Sequence, residues 1–262
     1  MTARQNRAVA LRWLVSGSSI ATLFAAWYLI TGPLGLITSL KFPSPLDAYE
    51  SLMQLVRPPG YADGALAEHI LTSTELVLIG FLLATGSGVP LGLLMGRSGL
   101  VDGYVNPVFQ LIRPIAPIAW IPLTILWFGL GMGAKLFVIW LAAFAPALIN
   151  TYTGVRNIDT TIIQAARVHG ASRREMLFDV VIPGALPSIF TGLRTSLQAC
   201  WMVLVAAELV GSFVGLGHIM IIATRDLNSG MILVAMICVA LLGVLMSAGL
   251  TCVERYAIPW RR

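Results

Sequence analysis

Long apolar runs separated by short polar segments make up most of this 262-residue chain. A helix needs about 20 residues, at roughly 1.5 Å each, to cross about 30 Å of hydrocarbon. Six runs reach that length and predict transmembrane helices at about residues 13–31, 71–96, 104–128, 135–153, 187–210 and 230–252. The pattern therefore predicts an all-α integral membrane protein with about six transmembrane helices, in one transmembrane domain over residues 1–262.

Composition favours lipid rather than water as the solvent of this chain. Hydrophobic residues make up 57% of the sequence and charged residues only 11%, and the mean hydropathy is +0.84. Soluble domains carry about 25% charged residues because their surface must be solvated. The net charge of +5 does not indicate nucleic-acid binding, since the basic residues lie at the ends of apolar runs and form no patch with interleaved aromatics.

The first apolar run follows a basic start, as in a secretory signal peptide. Residues 4–30 contain no convincing small-residue cleavage site, and their apolar core of about 19 residues is long enough to span a bilayer. We therefore expect an uncleaved membrane anchor.

The distribution of lysine and arginine predicts the orientation, because cytoplasmic segments are enriched in both. With the amino terminus inside, the cytoplasmic side holds eleven basic residues and the other side four, so both termini are expected in the cytoplasm. The connection 154–186 then lies inside and residues 32–70 lie outside. The eleven are Arg4, Arg7, Arg12, Arg97, Arg156, Arg167, Arg173, Arg174, Arg255, Arg261 and Arg262, and the four are Lys41, Arg57, Lys135 and Arg225.

The cytoplasmic connection predicts two short helices on either side of a glycine. Residues 160–168 have a helical pattern that ends at His169-Gly170, where glycine suits a helix stop. The run from Ser172 to Glu175 fits a capping box and predicts the start of a second helix, which Pro183 is expected to end.

Arg173 and Arg174 lie in the first turn of this second helix, where the helix dipole disfavours cations. Helix stability alone therefore does not explain them. They serve either as positive charges near lipid headgroups or as part of a contact surface for another protein.

The residues of this loop resemble a family signature. Gln164-Ala165-Ala166, Gly170, Val180 and Ile182-Pro183 follow the order and spacing of the E-A-A…G…I-x-L-P motif of bacterial ABC importer permeases. The sequence departs from the motif at Gln164, which replaces a glutamate, and conservatively at Val180 and Ile182. The resemblance therefore implies the helix–glycine–helix shape but not a charge contact at residue 164.

Further segments, in the same order along the chain, resemble the nitrate/sulfonate/taurine branch of that family. They are residues 88–96, Arg113-Pro114 with Pro117, Ala119-Trp120 and Pro122, Phe128-Gly129, and residues 183–187, 191–194 and 205–208. The resemblance implies a small anionic substrate, with taurine or another alkanesulfonate first and nitrate, bicarbonate or a pyrimidine precursor as alternatives.

The resemblance also implies a type I importer architecture that works by alternating access in a bacterial inner membrane. Its implied partners are an identical permease copy, two cytoplasmic ATPase subunits that bind ATP and Mg²⁺, an extracytoplasmic substrate-binding protein, and membrane lipid. The residues it assigns to ATPase coupling are Gln164, Ala165, Ala166, His169, Gly170, Ala171, Ser172, Arg173 and Arg174.

No catalytic site, cofactor or metal is expected on this chain itself. A phosphate-binding loop of the usual kind ends in Gly-Lys-Ser/Thr, whereas Lys41 follows leucine and Lys135 follows alanine. The remaining side chains that could serve in catalysis or metal binding form no constellation. The histidines lie in different segments, and the cysteines have no paired spacing. These residues are His69, His169, His218, Cys200, Cys238 and Cys252. ATP chemistry is therefore expected on a separate subunit.

Three ionisable residues in or near the spans are candidates for the pathway or gate, because charges in hydrocarbon usually face a cavity or a partner. Arg113 either satisfies backbone carbonyls freed by the neighbouring prolines or faces the pathway and attracts an anion. Glu208 either pairs with a neighbouring helix or lines the gate. His218, in the short segment 215–224, is either a hydrogen-bonded structural group or a ligand contact.

Two other classes of protein compete with a permease. A secondary transporter driven by an ion gradient usually has repeated halves and matching broken helices, and the sequence indicates neither. A membrane scaffold or signalling protein would conduct nothing.

Overall fold

The computed structural model describes residues 3–32, 38, 41–62 and 64–259, without the side chains of residues 3–14, 16, 20 and 210. These described residues form helices and no β-strand. The helices are α1 Ala3–Thr31, α2 Pro45–Val56, α3 Leu66–Arg97, α4 Gly99–Ile112, α5 Ile121–Phe128, α6 Met132–Arg156, α7 Thr160–Val168, α8 Arg173–Glu175, α9 Ile182–Gly211, α10 Leu216–Arg225 and α11 Ser229–Ala257. A 3-10 turn, Pro117–Trp120, precedes α5, and a π-helical segment, Met176–Val181, joins α8 to α9.

Four helical segments in the described chain are long and apolar enough to cross a membrane. They are Leu66–Arg97, Met132–Arg156, Arg173–Leu209 and Ser229–Ala257. These segments confirm four predicted spans, at 71–96, 135–153, 187–210 and 230–252. Each helix is longer than the predicted span.

The predicted first span, 13–31, lies inside α1 but stays a prediction. The apolar part with described side chains, Gly17–Thr31, is too short to cross a bilayer by itself, and the side chains of residues 13 and 14 lie outside the described ones. The side chains of Arg4, Arg7 and Arg12, and residues Arg261 and Arg262, are also outside the described part, so their contribution to orientation is untested.

The prediction of one continuous span at 104–128 is wrong. Gly99–Ile112 and Pro117–Phe128 are bent relative to each other by 83°. Pro114 and Pro117 lack the N–H group that continues a helix, and Ala116, which precedes a proline, is extended with ψ 132°. The two pieces form at most one broken span.

The prediction that Pro183 ends the second loop helix is also wrong. The chain continues from α8 through the π-helical segment into α9, whose first turn contains Pro183. Proline is tolerated there because a first-turn N–H has no partner within the helix. The Ile182 N–H donates to the Leu177 carbonyl, the wider hydrogen bond of a π-helix. The loop is therefore joined to the following span by helix.

Glycines allow α3 and α6 to approach closely. Gly80, Gly88, Gly92 and Gly96 are spaced by four or eight residues and so share one face of α3. A Cβ atom at Gly92 would lie 2.7 Å from the Leu148 carbonyl oxygen of α6. The contact therefore requires a residue without a side chain, as in other close helix packings in membranes.

The described chain contains two compact units. One comprises Met1–Leu66 and Ile219–Ile237, and the other Ala67–His218 and Cys238–Arg262. The first unit includes α2, which packs against the first turn of α11 at Gly230. The second unit contains α3 to α9 and the candidate site residues. The prediction of a single domain over 1–262 stays a prediction.

Candidate functional site: the 160–182 loop and an aromatic groove

Helix α7 ends in a Schellman motif at Gly170. The Gly170 N–H donates to the Arg167 carbonyl at 3.0 Å, and the Ala171 N–H donates to the Ala166 carbonyl at 3.1 Å. Gly170 has φ +79°, a left-handed conformation that glycine adopts without a steric cost. The predicted helix stop at His169-Gly170 is confirmed. The motif explains the glycine at position 170, since this is the residue that takes the left-handed conformation, while the carbonyls of Ala166 and Arg167 accept the two hydrogen bonds.

Both loop helices begin at side-chain caps. The Glu175 N–H donates to Ser172 Oγ at 3.3 Å, and the Ser172 N–H donates to Glu175 Oε2 at 2.7 Å, so the predicted capping box is confirmed. Asp159 caps α7 by accepting the Thr161 N–H at 2.8 Å. This hydrogen bond lowers the pKa of Asp159 below its ordinary value.

Most of the predicted coupling residues are exposed, so the loop presents a surface rather than a core. Gln164, Ala165, His169, Gly170, Ser172, Arg173 and Arg174 are exposed, and Ala166 and Ala171 are half-buried. Three large apolar residues of the loop are exposed as well, Ile162, Val168 and Phe178, with Val168 at 87%. An exposed surface of mixed apolar and basic character is suited to contact with another protein.

The inner side of the loop is packed onto the spans. Val155, Val181, Ala185 and Ile189 form a buried cluster that joins α6, the π-helical segment and α9. Arg97, at the end of α3, donates to the Arg173 carbonyl at 3.0 Å. Three spans therefore hold the inner side of the loop.

A groove of about 870 Å³ lies along α4, α6 and the bend that follows α4. Its wall is largely apolar and includes a row of aromatic rings, with ring centroids 5.6 Å apart for Phe137 and Trp140 and 5.2 Å apart for Trp140 and Phe144. Asn150 and Thr195 add polar groups to the lining. Because the wall is apolar with few polar groups, the groove is suited to a solute that combines an apolar part with a polar head.

Arg113 is the one charged residue among the described residues that line this groove. It is exposed at the C-terminal end of α4, and its guanidinium makes no ion pair or hydrogen bond with a described residue. The carbonyls freed by the neighbouring prolines are thus not capped by this side chain in the described chain. Its charge is available to the groove.

Glu208 lies in a fully buried polar cluster, with 0% of the residue exposed. Its carboxylate accepts the Ser73 hydroxyl at 2.7 Å and the Gly217 N–H at 2.8 Å. Ser73 Oγ in turn accepts the Leu216 N–H at 2.9 Å. The carboxylate therefore fixes the turn between α9 and α10 to α3, and it does not line the groove.

Further contacts hold the same turn. The Gly215 N–H donates to His69 Nδ1 at 3.0 Å. Lys135 Nζ donates to Ser212 Oγ at 2.7 Å, and Ser212 Oγ donates to the Val214 carbonyl at 2.6 Å. Residues 212–217 are thus tied to α3, α6 and α9. His218 follows this turn in α10 and is also buried.

Sequence reasoning missed the partners of several charged residues. Asp102 accepts hydrogen bonds from Tyr152 at 3.0 Å and Arg156 at 3.2 Å, and Arg194 pairs with Glu254. The sequence indicates only that each of these charged residues lies within or beside an apolar run and needs a partner. These partners are fifty or more residues apart, so no short motif identifies them.

The whole-chain comparisons agree with this architecture. Residues 88–262 match the family described as binding-protein-dependent transport system inner membrane component. The chain is 35% identical to the taurine transport system permease protein TauC of Escherichia coli (strain K12), over 97% of this chain and 94% of that protein. It is 32% identical to the nitrate import permease protein NrtB of Leptolyngbya laminosa, over 82% of this chain and 78% of that protein.

A solved structure supports the fold. In the methionine ABC transporter MetNI, in inward-facing conformations, one chain aligns with a TM-score of 0.64 at 18% identity, over 73% of this chain and 95% of that one. Together with the family match, these findings show that this chain belongs to the family of binding-protein-dependent transport system inner membrane components and is an ABC importer permease.

Proposed function

We propose that this chain is the non-catalytic membrane subunit of an ATP-driven importer for a small organic anion, most closely taurine or another alkanesulfonate. Two identical copies enclose one pathway, two cytoplasmic ATPase subunits bind ATP and Mg²⁺, and an extracytoplasmic binding protein delivers the substrate. The subunit carries both termini in the cytoplasm and undergoes alternating access when the ATPase dimer closes.

The observation that carries the proposal is the construction of the 160–182 loop. Its outer face is exposed and its inner face is packed onto α6 and α9. Helix connects it to the span without an intervening flexible segment, through Met176–Val181. A subunit that receives work from an ATPase requires such a rigid connection between a docking surface and the spans, because a flexible joint would dissipate the motion.

The substrate class is supported by the groove and by the relatives. A sulfonate group is a permanent anion that suits the guanidinium of Arg113, and a short carbon chain suits the aromatic wall. The 35% identity to a taurine permease favours the same class. A relative named for nitrate import supports the second candidate, a permease for a small inorganic anion.

Transport by the reconstituted complex tests both the ATP-driven import and the substrate class. The permease, its ATPase and its binding protein are incorporated into vesicles, and uptake of labelled taurine is measured with and without ATP. We expect ATP-dependent uptake that an ionophore does not abolish and that excess nitrate does not inhibit. Loss of uptake with an ionophore, while ATP stays high, would indicate an ion-coupled secondary transporter, and no uptake of any anion would indicate a scaffold.

Neutralising Arg113 tests the role of the groove in the same assay. Arg113→Gln should lower taurine uptake about threefold to fivefold, since one partly solvated charge contributes up to about 1 kcal/mol. Arg113→Lys should retain most of the uptake, and Arg255→Gln, at an exposed position outside the groove, is the matched control. Normal uptake by a normally folded Arg113→Gln variant would show that Arg113 does not act on the substrate.

A further inference from the structure

Helix α2 has three distinct faces, although it contains only 12 residues. At about 100° per residue these faces divide the helix into sectors. One sector is buried and consists of Ala48, Ser51 and Leu55. A second is polar and consists of Asp47, Glu50 and Gln54. The third is apolar without being buried, and we call it the α2 stripe; it consists of Leu46, Tyr49, Met53 and Val56.

Three of the four residues of the α2 stripe are strongly exposed within the described chain, and Met53 is half-buried. Leu46 is 62% exposed, Tyr49 58% and Val56 56%. A helix surrounded by water is expected to have polar residues at these positions, because exposing a row of large apolar side chains to water is unfavourable in free energy. The stripe therefore requires a cover.

The buried face of α2 contacts α11, and this contact indicates the depth of α2 relative to the membrane. It packs against Gly230, where an added Cβ would lie 2.9 Å from the Asp47 carbonyl oxygen and closer still to Ser51 Oγ. Gly230 is the second residue of α11, which is long and apolar enough to span the membrane. Helix α2 is thus held beside the first turn of a candidate span, and this turn is the level at which such a span would enter a bilayer.

Aromatic residues at the junction of α1 and α2 indicate the same depth. The Trp27 indole N–H donates to the Pro43 carbonyl at 2.9 Å. Its ring centroid lies 5.8 Å from that of Phe24 and 6.1 Å from that of Phe42. Tryptophan and tyrosine favour the boundary between lipid and water, since their rings are apolar and their polar atoms need partners.

The surroundings of the stripe match a lipid surface. The last turns of α1 also expose large apolar side chains, among them Leu23, Phe24 and Leu29. Lys41 before α2 and Arg57 after it are both exposed, and cations on flexible stems suit headgroup phosphates. The stripe itself carries no charge, which favours acyl chains over a soluble partner with a charged rim.

We propose that α2 lies in the membrane interface at the amino-terminal end of α11, with the α2 stripe in contact with lipid and its polar face toward water. The helix then anchors the connection between α1 and α3 to the bilayer surface.

Site-directed spin labelling tests the proposal in the complete transporter in lipid nanodiscs of phosphatidylethanolamine and phosphatidylglycerol. The native cysteines are first replaced, as Cys200→Ala, Cys238→Ala and Cys252→Ala. Single labels are then placed on the stripe by Leu46→Cys, Tyr49→Cys and Met53→Cys, and on the polar face by Glu50→Cys and Gln54→Cys. Collision rates with oxygen, which partitions into lipid, are compared with those of a water-soluble nickel complex.

We expect oxygen collisions to dominate on the stripe and nickel collisions to dominate on the polar face, so that the two profiles alternate with the helical period. Met53→Cys and Gln54→Cys are neighbouring positions outside the buried face, and each is checked for assembly by size-exclusion chromatography. Dominant nickel collisions at every position would overturn the proposal. Stripe labels that are accessible to nickel until a soluble binding protein is added would also overturn it, and would assign the stripe to that protein.

Discussion

Gly170 has the clearest conformational requirement of any single residue in the loop. Its φ of +79° suits glycine, and an added Cβ would meet no atom within 4 Å. The cost of a larger residue is therefore backbone strain alone, about 1–3 kcal/mol. We expect Gly170→Val to reduce both co-purification of the ATPase and ATP-dependent uptake, while the spans stay folded.

Asparagine provides the control for this position, because it tolerates the left-handed conformation better than a β-branched residue. Gly170→Asn should retain most of the uptake. Wild-type co-purification and uptake in Gly170→Val would show that the turn geometry does not matter for coupling.

Glu208 makes a prediction about stability rather than transport. Glu208→Leu would leave the Ser73 hydroxyl and the Gly217 N–H without their acceptor in a buried site, at about 1–3 kcal/mol for each stranded group. We expect the melting temperature of the purified protein to fall by several degrees, at about 2–4 °C per kcal/mol for a chain of this size. Ser73→Ala should cause a smaller fall.

The double variant Ser73→Ala/Glu208→Leu shows whether the two residues stabilise the protein together or independently. If Ser73 and Glu208 stabilise the same turn, the loss in the double variant is smaller than the sum of the two single losses. Additive losses, or an unchanged melting temperature in Glu208→Leu, would contradict the role assigned to the carboxylate.

At the scale of elements, the packing of α3 on α6 predicts a difference between two glycines of one helix. A Cβ at Gly92 meets the backbone of α6 at 2.7 Å, whereas one at Gly86 meets no atom within 4 Å. Alanine at Gly86 should be neutral or stabilising by about 0.5–1 kcal/mol, because alanine favours helix. Gly92→Ala should lower the melting temperature, since the two helices must separate.

Thermal unfolding of both variants in the same detergent measures this difference. Equal melting temperatures would mean that α3 and α6 are not held at the distance described. The comparison controls for helix propensity, since both substitutions exchange the same residues within the same helix.

Elements also show where local sequence reasoning fails. Pro114 and Pro117 are visible in the sequence, but the apolar pattern of 104–128 continues across them and does not predict the 83° bend. The sequence predicts a helix end at Pro183, whereas the π-helical segment before it places this proline in the first turn of α9. A proline specifies a missing N–H group, and the surrounding packing determines whether the helix stops, bends or begins there.

At the scale of the whole molecule, the proposed coupling requires the loop to face the cytoplasm. An impermeant maleimide applied to intact cells tests this in a background without native cysteines. Arg174→Cys, at an exposed loop position, should react only after the membrane is permeabilised, whereas Gln54→Cys in α2 should react directly. Labelling of Arg174→Cys from outside would remove the mechanical link to an ATPase.

The sequence by itself determined the membrane class, four of the spans, and the helix–glycine–capping-box order of the loop, because each depends on neighbours within a few residues. Apolar length, the Schellman stop at Gly170 and the capping box at Ser172 are local properties of this kind. Only the tertiary structure decided the partners of Glu208, one of which, Ser73, is 135 residues away, and the groove beside Arg113. Such contacts depend on how helices pack together, and packing brings together side chains whose separation along the chain carries no periodic signal.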